Sequence, residues 1–276
     1  MKILALDTSS NACSVALVEG KQQEFSSIER FEMAPRQHTQ LILPMIDSVL
    51  DEAGYDIKEI DTLAFGRGPG AFTGVRVATG VVQAIAYGAD LPVAQISSLA
   101  ALAQGFYQAQ GCYQAQGYIQ AQGYNQAQGY NQAQDCHHDA PEQANKVLVA
   151  NDARMDEIYF AAYEMNKGFM TLTGTEHVLK PEQLGELLNH LLVLDKQWQL
   201  VGNGWSVYTE KLSPIACQCA APCYSAEIMQ QLSYPNAKDI AYLAFNEIAN
   251  NLLVSAEQVS PVYLRNNVAK KPQKLA

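Results

Sequence analysis

The feature that most restricts the fold of this chain is an order of elements carried twice. Apolar runs at residues 3–7 and 13–18 flank Thr8-Ser9-Ser10-Asn11, a turn-forming stretch, so the runs are expected to pair as a hairpin. A weaker strand signal covers 24–31. Residues 39–53 then place Ile42, Ile46, Val49 and Leu50 at helical spacing, with Pro44 either in the first turn or kinking the helix. A strand at 60–65, a helix reaching about Gly88, a strand at 91–96 and a helix starting at 97–104 follow. After residue 145 the order recurs. Strands at 147–150 and 158–163 enclose Asn151-Asp152-Ala153-Arg154, and a third strand is expected at 170–178. A helix at 181–192 opens on Pro181, 199–202 is a strand, and helices are expected at 205–212 and 239–253, the last with Asp239 as N-cap. Asp7 and Asp152 hold matching places, each closing the first strand of its half. The expectation is an α/β protein of duplicated β-β-β-α-β-α-β-α units, one at 1–104 and one at 146–276.

Between them, residues 105–145 repeat Gln-Ala-Gln-Gly with a period of six, from Gln108, Gln114, Gln120 and Gln126, ending in Gln-Ala-Gln-Asp at Gln132. Six matches neither the helical period nor a heptad. A Gly in each unit costs a helix about 1 kcal/mol. The segment is expected to be a low-complexity linker, with His137 and His138 as part of it.

Charge and cysteine use narrow the function. The net charge of -10 argues against a surface that grips nucleic acid by itself, although Arg67, Arg76, Lys270, Lys271 and Lys274 could touch RNA locally. Met1 leads directly into a strand pattern with no signal peptide, and no apolar run approaches the roughly 18 residues that span a bilayer. A cytoplasmic protein with reduced thiols is expected. The cluster Cys217, Cys219, Cys223 invites a zinc reading but lacks a nearby His or a second Cys pair. No metal site is expected.

The stretch from Gly66 to Gly80 is a glycine-rich turn between a strand and a helix, where backbone N–H groups and the helix dipole often hold phosphate. It lacks the Lys of a P-loop, since no Lys occurs between Lys58 and Lys146, and Gly70 and Pro69 disturb a dinucleotide fingerprint. Gly68, Pro69, Gly70, Phe72, Thr73 and Gly74 are expected to form a rigid loop, with Phe72 as its buried anchor. In the helix that follows, Arg76, Thr79, Gln83 and Tyr87 make a narrow polar stripe, and Val75, Ala78, Val81, Val82, Ile85 and Ala86 cover the rest. A helix apolar over so much of its girth is buried on more than one side, by its own sheet and neighbouring helix or by another protein. The small residues Ala78, Gly80, Ala84 and Gly88 permit the close approach of a second helix. Arg67 and Arg76 are either solvated or meet an anion or acidic partner. His38 is read as a helix-start or interface residue, with a catalytic-base role as the alternative.

Four groups of residues together resemble the TsaB (YeaZ) family, which serves the synthesis of threonylcarbamoyladenosine in tRNA. They are Ile3-Leu4-Ala5-Leu6-Asp7-Thr8-Ser9; His38-x-x-Leu41-x-x-Pro44-x-Ile46; Gly68-Pro69-Gly70-Ala71-Phe72-Thr73-Gly74-Val75-Arg76 with Ser97-Ser98-Leu99-Ala100-Ala101-Leu102; and Asp152-Ala153-Arg154, Tyr159 and Pro261-Val262-Tyr263-Leu264-Arg265. Thr39 and Ala71 stand where the family commonly has Ser. The resemblance implies the actin/Hsp70/sugar-kinase (ASKHA, ribonuclease-H-like) fold. ATP-using members of that fold carry Gly-rich hairpin turns. Here Asp7-Thr8-Ser9 and Asp152-Ala153-Arg154 carry none, so Asp7, Thr8, Ser9 and Asp152 are expected to mark a degenerate nucleotide site. No His-x-x-x-His pair matches the metal-binding histidines of the catalytic relative TsaD.

The resemblance further implies a non-catalytic subunit with no catalytic residues of its own. It would pair with TsaD through His38, Leu41, Met45, Val75, Arg76, Ala78, Thr79, Val82 and Gln83, and a homodimer could use the same surface. TsaE would join the assembly and TsaC would make the adenylate; ATP is used by partner subunits, and tRNA is met through the complex. The rival expectation is a stand-alone ASKHA ATPase or peptidase.

Overall fold

The computed structural model describes residues 1–22, 24–119, 145–191, 197–219 and 232–265. Its first sheet holds β1 (Lys2–Asp7), β2 (Ala12–Lys21), β3 (Glu24–Met33), β4 (Thr62–Gly66) and β5 (Val93–Ile96), in the order β3-β2-β1-β4-β5. The hairpin strands β1, β2 and β3 pair antiparallel, while β4 runs parallel to both β1 and β5. The second sheet holds β6 (Lys146–Arg154), β7 (Glu157–Asn166), β8 (Phe169–Leu179) and β9 (Trp198–Val201), in the order β8-β7-β6-β9 with the corresponding senses. The orders match strand for strand, as a duplicated ASKHA unit requires. Among the described residues the second sheet has four strands, and residues 220–231 lie outside them.

The helices are α1 (His38–Ala53), α2 (Phe72–Ala89), α3 (Ser98–Ile119), α4 (Leu184–Leu191), α5 (Gly204–Val207), α6 (Thr209–Ala216) and α7 (Ala237–Ala249). Pro44 lies inside α1, and a 3-10 turn at Pro181–Gln183 leads into α4. The helix expected at 205–212 is two short ones, α5 and α6. Among the described residues no helix is long and apolar enough to cross a membrane.

Strand alternation sorts each sheet's side chains into two cores. In β1, Leu4 and Leu6 join Phe65 and the buried faces of α1 and α2, while Ile3 and Ala5 face the other way onto α7. In β6, Leu148 and Ala150 pack with Leu184, Leu188, Leu212 and Ile215, whereas Val147 and Val149 meet α3. Two helices have therefore crossed over. The α3 helix follows the first sheet in sequence yet lays Leu99, Leu102, Ala103 and Phe106 on the second. The α7 helix follows the second sheet yet covers the first with Ala237, Ile240, Ala241 and Ala244.

This exchange corrects the sequence-based boundaries. The division at 104/105 falls inside α3, whose helical backbone continues through the first Gln-Ala-Gln-Gly units to Ile119. The 99, 102, 103, 106 spacing anchors the inner end in a core, and that packing outweighs the cost of glycine. Residues 120–144 with His137 and His138, together with Cys223, Lys270, Lys271 and Lys274, lie outside the described residues. The start of α7 also moves. Asn236 is its N-cap, its side chain accepting from the Lys238 N–H at 2.9 Å, and Asp239 sits one turn in. There, against Gly105 of α3, burial pushes the Asp239 carboxyl up to about 7.

Phe106 is wholly buried between α3 and the second sheet. Phe106→Ala is expected to lower the free energy of unfolding in urea by about 3–5 kcal/mol. A residue in a solvated linker would give a change below about 0.5 kcal/mol.

Candidate partner interface

The glycine loop is locked onto the first hairpin turn. Asp7, Thr8 and Ser9 are buried where β1 ends. Asp7 Oδ1 accepts from the Ser9 N–H and Ser9 hydroxyl, both at 2.9 Å, and Oδ2 lies 3.4 Å from the Ser98 hydroxyl. The Thr8 hydroxyl donates to the Gly74 carbonyl at 2.7 Å, and the Ala71 N–H donates to the Ser9 carbonyl at 2.7 Å. A Cβ on Gly66 would overlap the Asp7 carboxylate, one on Gly70 the Ser9 backbone, and one on Gly74 the Thr8 carbonyl. The glycines are thus required by close approach of the chain's own turn. The Gly68–Pro69 peptide is cis, and both residues are buried.

The second lobe and the C-terminal segment close around this loop. The Tyr159 hydroxyl donates to the Gly70 carbonyl at 3.3 Å, the Ser98 N–H to Gly68 at 3.0 Å, and the Val262 N–H to Arg67 at 2.8 Å. Ser97 caps α3 through the N–H groups of Leu99 and Ala100 and also meets Glu176, which accepts from the Tyr163 hydroxyl at 3.2 Å. Burial holds the Tyr163 hydroxyl well above its ordinary range. Arg67 is partly buried, and its Nε has no hydrogen-bond partner among the described residues. At the second hairpin, Asp152 Oδ1 accepts from the Arg154 N–H at 2.9 Å and the Tyr208 hydroxyl at 3.0 Å. Arg265 pairs with Glu157 and donates to the carbonyls of Ala153 and Arg154, both at 3.1 Å. The four positions assigned to a degenerate nucleotide site are thus engaged with the chain itself.

The expected loop and interface residues divide sharply. Met45, Val75, Ala78, Thr79 and Val82 are buried by the chain's own fold, with Thr79 donating to the Val75 carbonyl at 2.8 Å. Little of these side chains is presented at the chain's surface. Leu41 is half-buried against the same core, and His38 Nε2 lies 3.2 Å from the Ala12 carbonyl, a contact that seats the start of α1 beside β2. Gln83 reaches the Val259 carbonyl at 3.1 Å, and the Arg76 Nε donates to the Tyr263 hydroxyl at 2.9 Å. The polar stripe is thus chiefly a seat for the C-terminal segment. Phe72, expected to be buried, is 48% exposed, and Thr73 is exposed too. The Phe72 ring lies 5.4 Å from that of Tyr263 rather than under the loop.

What remains open is the flank of α2 that faces away from its buried residues and adjoins Arg76 and Tyr87 of the polar stripe. Thr73, Gly80, Ala84, Tyr87 and Gly88 are exposed and Val77 and Val81 half-buried; on α1, Leu43 is exposed, and so is Pro44, which lines a groove with Phe31 and Glu32 of β3. At Gly80 and Gly88 a Cβ would meet nothing within 4 Å. The four-residue spacing of Gly80, Ala84 and Gly88 was the sequence signal for this face. A wide apolar girth hid which side the sheet would take. Among the described residues no group of three or more His, Cys, Asp and Glu could hold a metal ion.

A family model described as TsaD, tRNA N6-adenosine threonylcarbamoyltransferase, matches residues 31–114. The tRNA threonylcarbamoyladenosine biosynthesis protein TsaB of Escherichia coli K12 is 35% identical over 272 residues, covering 98% of this chain and 97% of that protein. Its namesake in Haemophilus influenzae is 34% identical, covering 98% and 96%. Two Pseudomonas aeruginosa structures are similar throughout. One, titled an uncharacterized protein with similarity to peptidase YEAZ, has 38% identity and a TM-score of 0.72 over 96% of this chain and 99% of that one. The other, titled YeaZ, has 37% identity and a TM-score of 0.69 over 95% and 99%.

Burial pushes the Asp7 carboxyl from its ordinary 3.8 up to about 7, against the opposing hydrogen bonds from Ser9 and Ser98. The folded state therefore holds this proton where the unfolded chain has lost it, and the group's contribution falls as pH rises from about 4 to about 7. In thermal melts, Asp7→Asn should gain on the parent chain across that window and level off above it. A difference in Tm independent of pH would refute the assignment.

Proposed function

Because this chain belongs to the TsaB (YeaZ) family of tRNA threonylcarbamoyladenosine biosynthesis proteins, we propose that it is a non-catalytic subunit that pairs with TsaD through the open flank of α1 and α2. In this role it supports TsaD in transferring threonylcarbamoyl to the adenosine next to the anticodon of tRNAs that read codons starting with A. TsaE joins the assembly, TsaC supplies the adenylate, ATP is used by the partners, and tRNA is met through the complex in the cytoplasm. A homodimer uses the same flank.

One observation carries the reading. Gly80 lies in the middle of α2, where glycine costs about 1 kcal/mol relative to alanine, and among the described residues nothing occupies the space that its missing side chain leaves. Gly88 is open in the same way. Before α2, Gly66 answers to the Asp7 carboxylate, Gly68 to the Val262 carbonyl and Gly70 to the Ser9 backbone; on this flank Gly80 and Gly88 answer to nothing among the described residues. A second helix seated along Gly80, Ala84 and Gly88 supplies the missing neighbour. The engaged turns at Asp7 and Asp152 support the absence of a nucleotide in this chain's own cleft, and with it the scaffold role over a stand-alone ATPase or peptidase.

Ala84→Arg adds a long cation to an exposed position and should leave the thermal midpoint within about 2 °C. Binding to purified TsaD, measured by titration calorimetry, is expected to fall at least 30-fold. Undiminished binding would move the interface elsewhere. Micromolar binding of ATP-Mg to the isolated chain, lost in Asp7→Ala, would overturn the scaffold reading.

A further inference from the structure

The α2 helix has one charged residue, Arg76, in its first turns beside the open flank. Its guanidinium carbon lies 3.7 Å from the Phe72 ring centroid and 5.7 Å from that of Tyr263. Its Nε is spent on the Tyr263 hydroxyl at 2.9 Å. Stacking and this single hydrogen bond fix the plane of the group. Among the described residues no Asp or Glu lies within ion-pair distance of it, whereas Arg30, Arg154 and Arg265 each have a carboxylate partner. In a chain of net charge -10, this arginine is held in place yet not neutralised by any acid among the described residues.

We propose that Arg76 is the charge-recognition point of the α2 flank and takes one carboxylate, an Asp or Glu side chain of the partner protein, through its two terminal amino groups. The inference rests on the interface reading above and adds the chemistry of what is bound. A planar guanidinium with both terminal nitrogens available matches a carboxylate in bidentate geometry, which Lys cannot reproduce. Preorganisation by Phe72 and Tyr263 reduces the side-chain freedom lost on binding. Arginines and aromatic residues of this kind dominate the energetics of protein interfaces. RNA is the less suitable occupant. Binding to a phosphate backbone draws on several cations, and α2 offers one cation among small and apolar residues.

Titration of purified TsaD into the full chain tests this at 50 and 300 mM salt, with thermal melts confirming the fold of each variant. Arg76→Ala should weaken binding 10- to 100-fold and abolish most of its salt dependence. Arg76→Lys should recover less than a third of that loss on the logarithmic scale, and Tyr263→Phe should weaken binding a few-fold by loosening the guanidinium. If Arg76→Ala binds like the parent chain while Ala84→Arg does not, the carboxylate contact is wrong and the interface stands. If neither variant loses affinity, the interface reading fails with it. If Arg76→Ala leaves TsaD binding intact but weakens tRNA capture by the assembled complex, RNA is the ligand and the proposal is overturned.

Discussion

The close approach of the first hairpin turn to the glycine loop governs the arrangement of this molecule. Thr8 and Ser9 press their carbonyls against Gly74 and Gly70, and hydrogen bonds from the Thr8 hydroxyl to Gly74 and from the Ala71 N–H to Ser9 join turn and loop. Any side chain at these glycines would force the two apart. Their contact sets where α2 begins, brings Ser98 beside Asp7, and gives the C-terminal segment a fixed ledge at Arg67. A loop that looks made for a ligand is here a joint between two parts of one chain.

The second determinant is the exchange of α3 and α7 between the sheets. Each sheet is an open α/β layer whose inward alternate residues need a cover, and each takes it from the helix that follows the other sheet or precedes it. Phe106 and Ile240 are wholly buried because of it. The C-terminal segment reinforces the union, with Val254 bridging Val93 at one end and Arg265 gripping Glu157 and two carbonyls at the other. The two lobes are therefore chemically one body.

Most of the fold was legible from local pattern. The hairpin about Thr8-Ser9-Ser10-Asn11, the α1 stripe of Ile42, Ile46, Val49 and Leu50, and the matched places of Asp7 and Asp152 all follow from turn chemistry and periodicity. The site was less legible, for two reasons. Helical spacing shows that Val75, Ala78 and Val82 share a side with one another, but the sheet, a non-local partner, decides that this side is interior. Phe72 and Tyr263, almost two hundred residues apart in sequence, meet only because the C-terminal segment returns along α2. The α7 boundary failed for a local reason: Asn236 and Asp239 are both good caps, and the burial of Ala237 favours the earlier one.

The crossing of α7 onto the first sheet has a consequence for synthesis. A ribosome releases β1 to β5 long before it reaches residues 237–249, and until then Ile3, Ala5, Ala16, Val18, Ala64 and Ala94 lack the cover of α7. The N-terminal lobe emerges first and is completed nearly last. A message broken anywhere upstream of Ala237 yields a chain whose leading sheet has one bare apolar side, a surface of the kind that chaperones and proteases act on.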